Sequence, residues 1–127
     1  MRANQGKNTE PEVLLRSALR SMGLRGYRLH WPSAPGRPDV AFPGRKVAVF
    51  VNGCFWHRCP HCGQALPKSH TDFWQRKFQL NQERDQRKCQ ELEETGWTVL
   101  VLWECEVRTS AAACALRVAD LVKGSQS

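Results

Sequence analysis

Apolar positions along the chain change period several times, and each change predicts an element. Val13, Leu14, Leu15, Ala18, Leu19 and Met22 recur at helical spacing. Ahead of them, "TEPE" combines Thr9 as an N-cap, Pro11 in the first turn and Glu12 three residues after the cap, while Gly23 closes the helix. "YRLHWPSAPGRP" has no period and is rich in proline, which predicts an extended connector leading into a strand. "DVAF", the turn "PGR" and "KVAVFVNG" predict a hairpin whose second strand is apolar throughout, as a central strand would be. A polar stretch from about 70 to 95 predicts a long helix, with Phe73, Trp74, Phe78 and Leu92 as candidate buried positions. "GWTVLVLWE" predicts a third buried strand, and an alanine-rich helix from about 109 to 122 follows it. The order α-β-β-loop-α-β-α predicts an α/β fold with a central sheet flanked by helices.

Length and charge sharpen this picture. The 127 residues fit one domain spanning 1–127, in which the polar, basic residues 1–8 are expected to form a mobile arm. Lys and Arg number 19 against 12 Asp and Glu, a net charge of +7. Such a surplus suits a polyanionic partner, although ordinary solubilising charge would look the same. No apolar run approaches the roughly 18 residues of a membrane span, and no secretory pattern opens the chain. Six cysteines without a secretory signal point to a reducing compartment, the cytoplasm by default, where clustered thiols signify metal more often than disulfides.

The chemistry concentrates in "GCFWHRCPHC" and the acids on either side of it. Cys54, Cys59 and Cys62 stand on one loop and Cys105 follows the last strand in "WECE", a soft donor set suited to a closed, tetrahedral structural zinc. His61 is an alternative third ligand, but the Cys-x2-Cys spacing favours Cys62. Cys89 and Cys114 fall within helices and read as buried thiols. Asp39 opens a strand directly after "GRP" and either caps the turn or offers a hard oxygen ligand to Mg²⁺. Its strand partner leads straight to Asn52, Gly53 and His57. Glu12 sits where a capping-box glutamate belongs, and could also approach Asp39 from the first helix. Phe55 and Trp56 fit either a small core or an aromatic wedge between bases. His57 reads as a turn cap or as a general acid or base, and a helix crossing the sheet would let Asp85 orient its ring.

Through these residues the chain resembles the very-short-patch-repair (Vsr) mismatch endonucleases. "NTEPEVLLRSAL", "GRPDV", "VFVNGCFWHRCPHC", "FWQRKFQLNQERD" and "GWTVLVLWECE" occur in the family's order and cover nearly the whole chain. The resemblance implies a core similar to the PD-(D/E)xK, restriction-endonuclease-like nucleases, with a mixed central sheet. It implies a Mg²⁺-dependent hydrolase that nicks one DNA strand beside the thymine of a T:G mismatch, the lesion left when 5-methylcytosine deaminates. Carried over, Asp39 and the main-chain carbonyl of Val51 would hold Mg²⁺, Glu12 would be the supporting acid, and His57 with Asp85 the catalytic pair. Cys54, Cys59, Cys62 and Cys105 would hold zinc, Phe55 and Trp56 would enter the duplex, and Met1 and Arg2 would belong to a short DNA-contacting arm. Asn52 stands where some members carry a second histidine, which places it among the catalytic candidates. The implied partners are mismatched double-stranded DNA and other mismatch-repair proteins, for a bacterial monomer that joins the nucleoid when bound. Two other functions fit the residues: a sequence-specific nuclease without mismatch preference, and a non-catalytic zinc-containing DNA-binding module.

Overall fold

The computed structural model describes residues 9–34, 36–62 and 67–124, without the side chains of Phe55 and Trp56. In chain order it consists of α1 (Glu10–Ser21), β1 (Arg28–Leu29), β2 (Val40–Phe42), β3 (Val47–Asn52), α2 (Cys54–His57), α3 (Thr71–Glu94), β4 (Thr98–Trp103), α4 (Glu104–Thr109) and α5 (Ala111–Gly124). The strands form one mixed sheet in the order β1-β2-β3-β4, antiparallel except for the parallel β3–β4 pair. A parallel pair requires a crossover, and α3 lies between these two strands in the chain. The expected α/β fold with a mixed sheet flanked by helices is what the chain adopts.

Alternation along β3 divides the interior in two. Val47 and Val49 join Val40, Phe42 and Leu102 in a core closed by Leu15 and Leu19 of α1 and by Cys114, Ala115 and Val118 of α5. Ala48 and Phe50 point the other way, into a smaller cluster with Ala34 and Leu92 that Trp31, Trp97 and Val99 cover. The hairpin turn closes as expected, with the Arg45 N–H donating to the Phe42 carbonyl at 3.0 Å.

Several local expectations are corrected. The connector before Asp39 contains a strand: β1 pairs Leu29 with Val40 and Arg28 with Ala41. Thr9 occupies the N-cap of α1 without a side-chain cap, and Glu12 is buried on the same stripe as Leu15 and Leu19 instead of closing a capping box. Val13, Leu14 and Met22 are exposed, because only the Leu15 and Leu19 face of α1 turns to the core, alongside α5. On α3, Phe78 and Leu92 are buried and Trp74 is half-buried, but Phe73 stands 60% exposed. Cys114 is buried as expected, whereas Cys89 is half-buried. The cysteine loop begins with the helical turn α2, and α4 directly follows β4 because Glu106 Oε1 accepts a 3.0 Å hydrogen bond from the Trp103 N–H.

Candidate active site and metal centre

The far end of β3 and the turn that follows it carry the chemistry. The β2–β3 register, continued past Val40 and Val49, sets Pro38 opposite Val51. Proline has no N–H, so it offers nothing to the Val51 carbonyl. The Val51 N–H instead donates to Asp39 Oδ2 at 2.7 Å. In an extended strand the N–H and C=O of one residue point to the same edge, so the Val51 carbonyl faces the side on which Asp39 lies.

Three segments meet around Asp39. Glu12 arrives from the buried stripe of α1, and His30 from the end of β1. His30 Nε2 lies 3.4 Å from Glu12 Oε1, and Nδ1 lies 3.7 Å from Asp39 Oδ1. One donor atom from each of the three residues falls within 4.8 Å of the others, a group able to hold a metal ion. Burial pushes the Asp39 carboxyl up to about 7; the Val51 N–H works against this, and the charge of Glu12 adds to it. Two acids side by side in a part-dry site suit a hard divalent cation, which would neutralise the charge gathered there. His30 did not emerge from the sequence, since a two-residue strand leaves no periodic signal; its pairing with Asp39 exists only in the sheet register.

Beyond β3 the chain turns into α2, and α3 packs against it. His57 Nδ1 meets Asp85 Oδ2 in a short hydrogen bond, across 28 residues of sequence. Lys88, one turn further along α3, reaches Asp85 Oδ1 at 3.4 Å. Burial raises the Asp85 carboxyl, but the His57 hydrogen bond and the charges of His57 and Lys88 outweigh it, so the group is held below the usual carboxylate value. Its carboxylate can therefore fix one face of the imidazole. Lys88 also packs its stem against Gly36: a β-carbon there would come within 2.6 Å of the Lys88 chain, and Gly36 has φ +75°. The "GRP" turn ahead of Asp39 thus needs its glycine for conformation and for space. Asn52 ends β3 beside Trp103, buried, and alternates onto the same face as Phe50.

The cysteines form a second, separate cluster. The sulfurs of Cys54, Cys59, Cys62 and Cys105 lie within 4.8 Å of one another, and Cys59 Sγ stands 3.6 Å from Cys105 Sγ. A tetrahedral zinc with Zn–S near ~2.3 Å requires sulfurs ~3.8 Å apart, so the spacing fits. Burial pushes the Cys54 thiol up to about 11, against the Cys105 N–H and with the help of the Cys62 and Cys59 sulfurs, while Cys105 rises through burial and then through all three neighbouring sulfurs. Burial acts on Cys59 too, but the N–H groups of His61 and Cys62 favour its thiolate and bring it below the ordinary value. Four sulfurs this close do not ionise together without a cation, and a soft divalent ion answers that need. His61 is turned elsewhere, with Nε2 3.4 Å from Glu106 Oε2. Independently of any ion, the Cys54 N–H donates to Glu104 Oε1 at 3.3 Å, tying α2 to the start of α4. The side chains of Phe55 and Trp56, and the whole of Met1 and Arg2, lie outside the described residues.

A mixed sheet that gathers two acids at one end, a histidine–aspartate pair beside them and a sulfur cluster bracing the same turn has the makings of a hydrolytic enzyme. Comparison with known proteins narrows this. Residues 1–64, just over half of the 127, match the family model described as DNA mismatch endonuclease Vsr. The chain is 49% identical over 109 residues to the type II nicking enzyme V.XorIIP of Xanthomonas oryzae pv. oryzae, covering 84% of this chain and 78% of that one. It is 43% identical over 118 residues to the type II nicking enzyme V.NaeI of Lentzea aerocolonigenes, with coverages of 89% and 70%. The DNA mismatch endonuclease Vsr of Escherichia coli is 41% identical over 109 residues, with coverages of 85% and 69%. The protein is a DNA endonuclease. It belongs to the Vsr DNA mismatch endonuclease family.

Proposed function

We propose that this endonuclease nicks one strand of duplex DNA beside the thymine of a T:G mismatch, using Mg²⁺ at Asp39 and a structural Zn²⁺ at the four cysteines. The observation that carries the reading is the short stretch from Val51 to His57, with the Asp39 acid cluster at one end and the Asp85-held imidazole at the other. Phosphodiester hydrolysis needs these two elements close together: charge neutralisation at the phosphate, and a group that moves a proton to or from the reacting oxygens. When bound, Mg²⁺ would polarise the phosphate and favour ionisation of an attacking water. Asp39 and the Val51 carbonyl are the residues that would hold it, with Glu12 as the supporting acid. Asp85 fixes His57 through Nδ1, which leaves Nε2 to exchange a proton with water or with the leaving oxygen. Asn52, buried at the end of β3, is a neutral hydrogen-bonding group beside this path.

The net charge of +7 supports a polyanionic duplex as partner, and Arg2 in the N-terminal segment would add to the phosphate contacts together with Met1. Phe55 and Trp56 would wedge into the duplex where pairing is already weak, with the zinc-braced turn keeping them rigid; stacking of this kind is worth about 1–3 kcal/mol per base. The names of the relatives, nicking enzymes and a mismatch endonuclease, support single-strand cleavage and mismatch preference. Among the described residues no helix is long and apolar enough to cross a membrane. The deciding experiment is a nicking assay on otherwise identical duplexes carrying T:G, C:G or T:A at one position, with and without Mg²⁺. Nicking of T:G alone, and only with the ion, is the expected outcome. Equal cutting of all three would leave a nuclease without mismatch preference, and no cutting in any arm would leave a DNA-binding module.

A further inference from the structure

His30 is built into the acid cluster by the backbone. Its N–H donates to the Asp39 carbonyl at 3.1 Å, and the Trp31 N–H donates to Pro38 at 3.3 Å, so a strand of only two residues clamps this imidazole beside Asp39. The clamp holds His30 at φ 48°, a left-handed conformation that residues with a β-carbon adopt at a cost and that gathers at functional sites. Only 17% of the side chain is exposed, and Nε2 is fully buried without a hydrogen bond, although Glu12 Oε1 lies 3.4 Å away. A buried ring nitrogen without a hydrogen bond is uncommon in a folded protein and asks for a partner. Strain, burial and an unsatisfied donor atom coincide on the one side chain lying between two carboxylates.

We infer that His30 is a third ligand of the cation that Asp39 would hold, making the centre one of two carboxylates and an imidazole. The inference rests on the metal-dependent reading of the site given above. The three donor atoms already lie within 4.8 Å of one another, a spread that small adjustments can close around one ion. An imidazole among the ligands changes which ions are welcome. Mg²⁺ prefers oxygen donors and retained waters, whereas first-row transition ions accept nitrogen readily. The centre should therefore bind Mn²⁺ more tightly than Mg²⁺, by a margin that His30 sets.

Mn²⁺ itself is the probe. The zinc-replete full chain is titrated with Mn²⁺, the free ion is followed by its electron paramagnetic resonance signal, and the bound ion is examined by pulsed methods for ¹⁴N modulation from a coordinated imidazole. Wild type should show the modulation. His30→Asn, chosen because asparagine tolerates positive φ, should lose it and bind Mn²⁺ at least about tenfold more weakly. His57→Gln should keep it, since that ring is engaged by Asp85. Wild-type protein without nitrogen modulation overturns the assignment, whatever the variants do. So does unchanged or tighter Mn²⁺ binding by His30→Asn; tighter binding would mark His30 as a strap that the ion displaces. Asp39→Asn separates this inference from the reading beneath it. If Asp39→Asn abolishes Mn²⁺ binding while His30→Asn binds normally, only the His30 ligand falls; if Asp39→Asn also binds normally, the metal-dependent site falls with it.

Discussion

The molecule carries two clusters able to hold a metal, and they are opposites in chemistry and in construction. The sulfur cluster draws three of its four ligands from residues 54–62, on a loop with little apolar material of its own, and joins them to Cys105 at the start of α4. The acid cluster draws one ligand each from α1, the end of β1 and the start of β2, segments already fixed by the larger core and the sheet. An ion at the first would add order, cross-linking through its sulfurs a loop otherwise held by polar contacts such as the Cys54 N–H to Glu104. An ion at the second would find the order already present and would relieve crowded negative charge. A cross-link and a reagent site thus stand on either side of His57, and each should fail in its own way.

Removing the cross-link should have the largest effect. Zinc binding is worth on the order of 10 kcal/mol in small folding-coupled sites. Cys59→Ser should leave the protein without bound zinc, lower its melting temperature by tens of degrees and abolish nicking as a consequence of lost structure. Elemental analysis beside a thermal melt checks this; a zinc-free wild type with the same melting temperature would show that the sulfurs brace nothing.

Removing the reagent site should spare the fold. Asp39→Asn should lower single-turnover nicking of a T:G duplex by about 10⁴-fold or more, since metal stabilisation of charge amounts to several kcal/mol and each ~1.4 kcal/mol is a factor of ten. Duplex affinity measured without Mg²⁺ should change little. A well-folded Asp39→Asn protein that nicks normally would remove Asp39 from the chemistry.

The proton-handling pair should come next. His57→Ala should cost about 10²–10⁴ in rate with Mn²⁺ still bound, the range expected for one general acid or base. Asp85→Asn should cost part of that by releasing the Nδ1 side of the ring. The double variant should be no slower than His57→Ala, because Asp85 acts only through that imidazole. Multiplicative losses would dissolve the pair even if both residues mattered.

The same contrast governs what could be read from sequence. The sulfur cluster was legible because its spacing is local: "CFWHRCPHC" and "WECE" announce soft ligands without knowledge of the fold. The hairpin, the central strand and α3 were legible for a similar reason, since period-two and polar-helical stretches are local patterns. Asp85 could be suspected as a partner for His57, but 28 residues separate them, and only the packing of α3 against α2 joins them. His30 was invisible. Nothing in "YRLHWPS" marks a strand, and the residue acquires its neighbours from a two-residue pairing with β2. Glu12 carries two readings in the sequence, a capping-box residue or an acid approaching Asp39, and only the buried face of α1 decides for the second. Phe73 was expected inside because aromatic residues usually are, yet α3 presents only a narrow stripe to the sheet, at Phe78 and Leu92.

The smallest effect is thermodynamic and tests whether the acid cluster is crowded in the way its geometry indicates. Burial, with Glu12 adding to it, holds the Asp39 carboxyl near 7, against an ordinary 3.8. Between those values the unfolded chain has released this proton and the folded chain has kept it, so stability falls as pH rises through the window. The contribution is fully present below about 3.8 and gone above about 7. Asp85 does not blur this window, because its depressed value places its own loss of stability below the ordinary carboxylate value, at more acid pH. Asp39→Asn replaces the acid by a neutral isostere whose amide oxygen can still accept the Val51 N–H, and so removes the penalty. Without added divalent metal, the zinc-replete variant should match wild type near pH 4 and melt higher near pH 8. A divalent cation competes with the same proton, so Mn²⁺ should raise the wild-type melting temperature more at pH 8 than at pH 5 and leave the variant unmoved at both. Calorimetric melts of the two proteins at three pH values, with and without Mn²⁺, measure all of this. A difference between wild type and variant that stays constant from pH 4 to pH 8 would mean that Asp39 ionises as freely in the fold as out of it, and the cluster would then need no ion to relieve it.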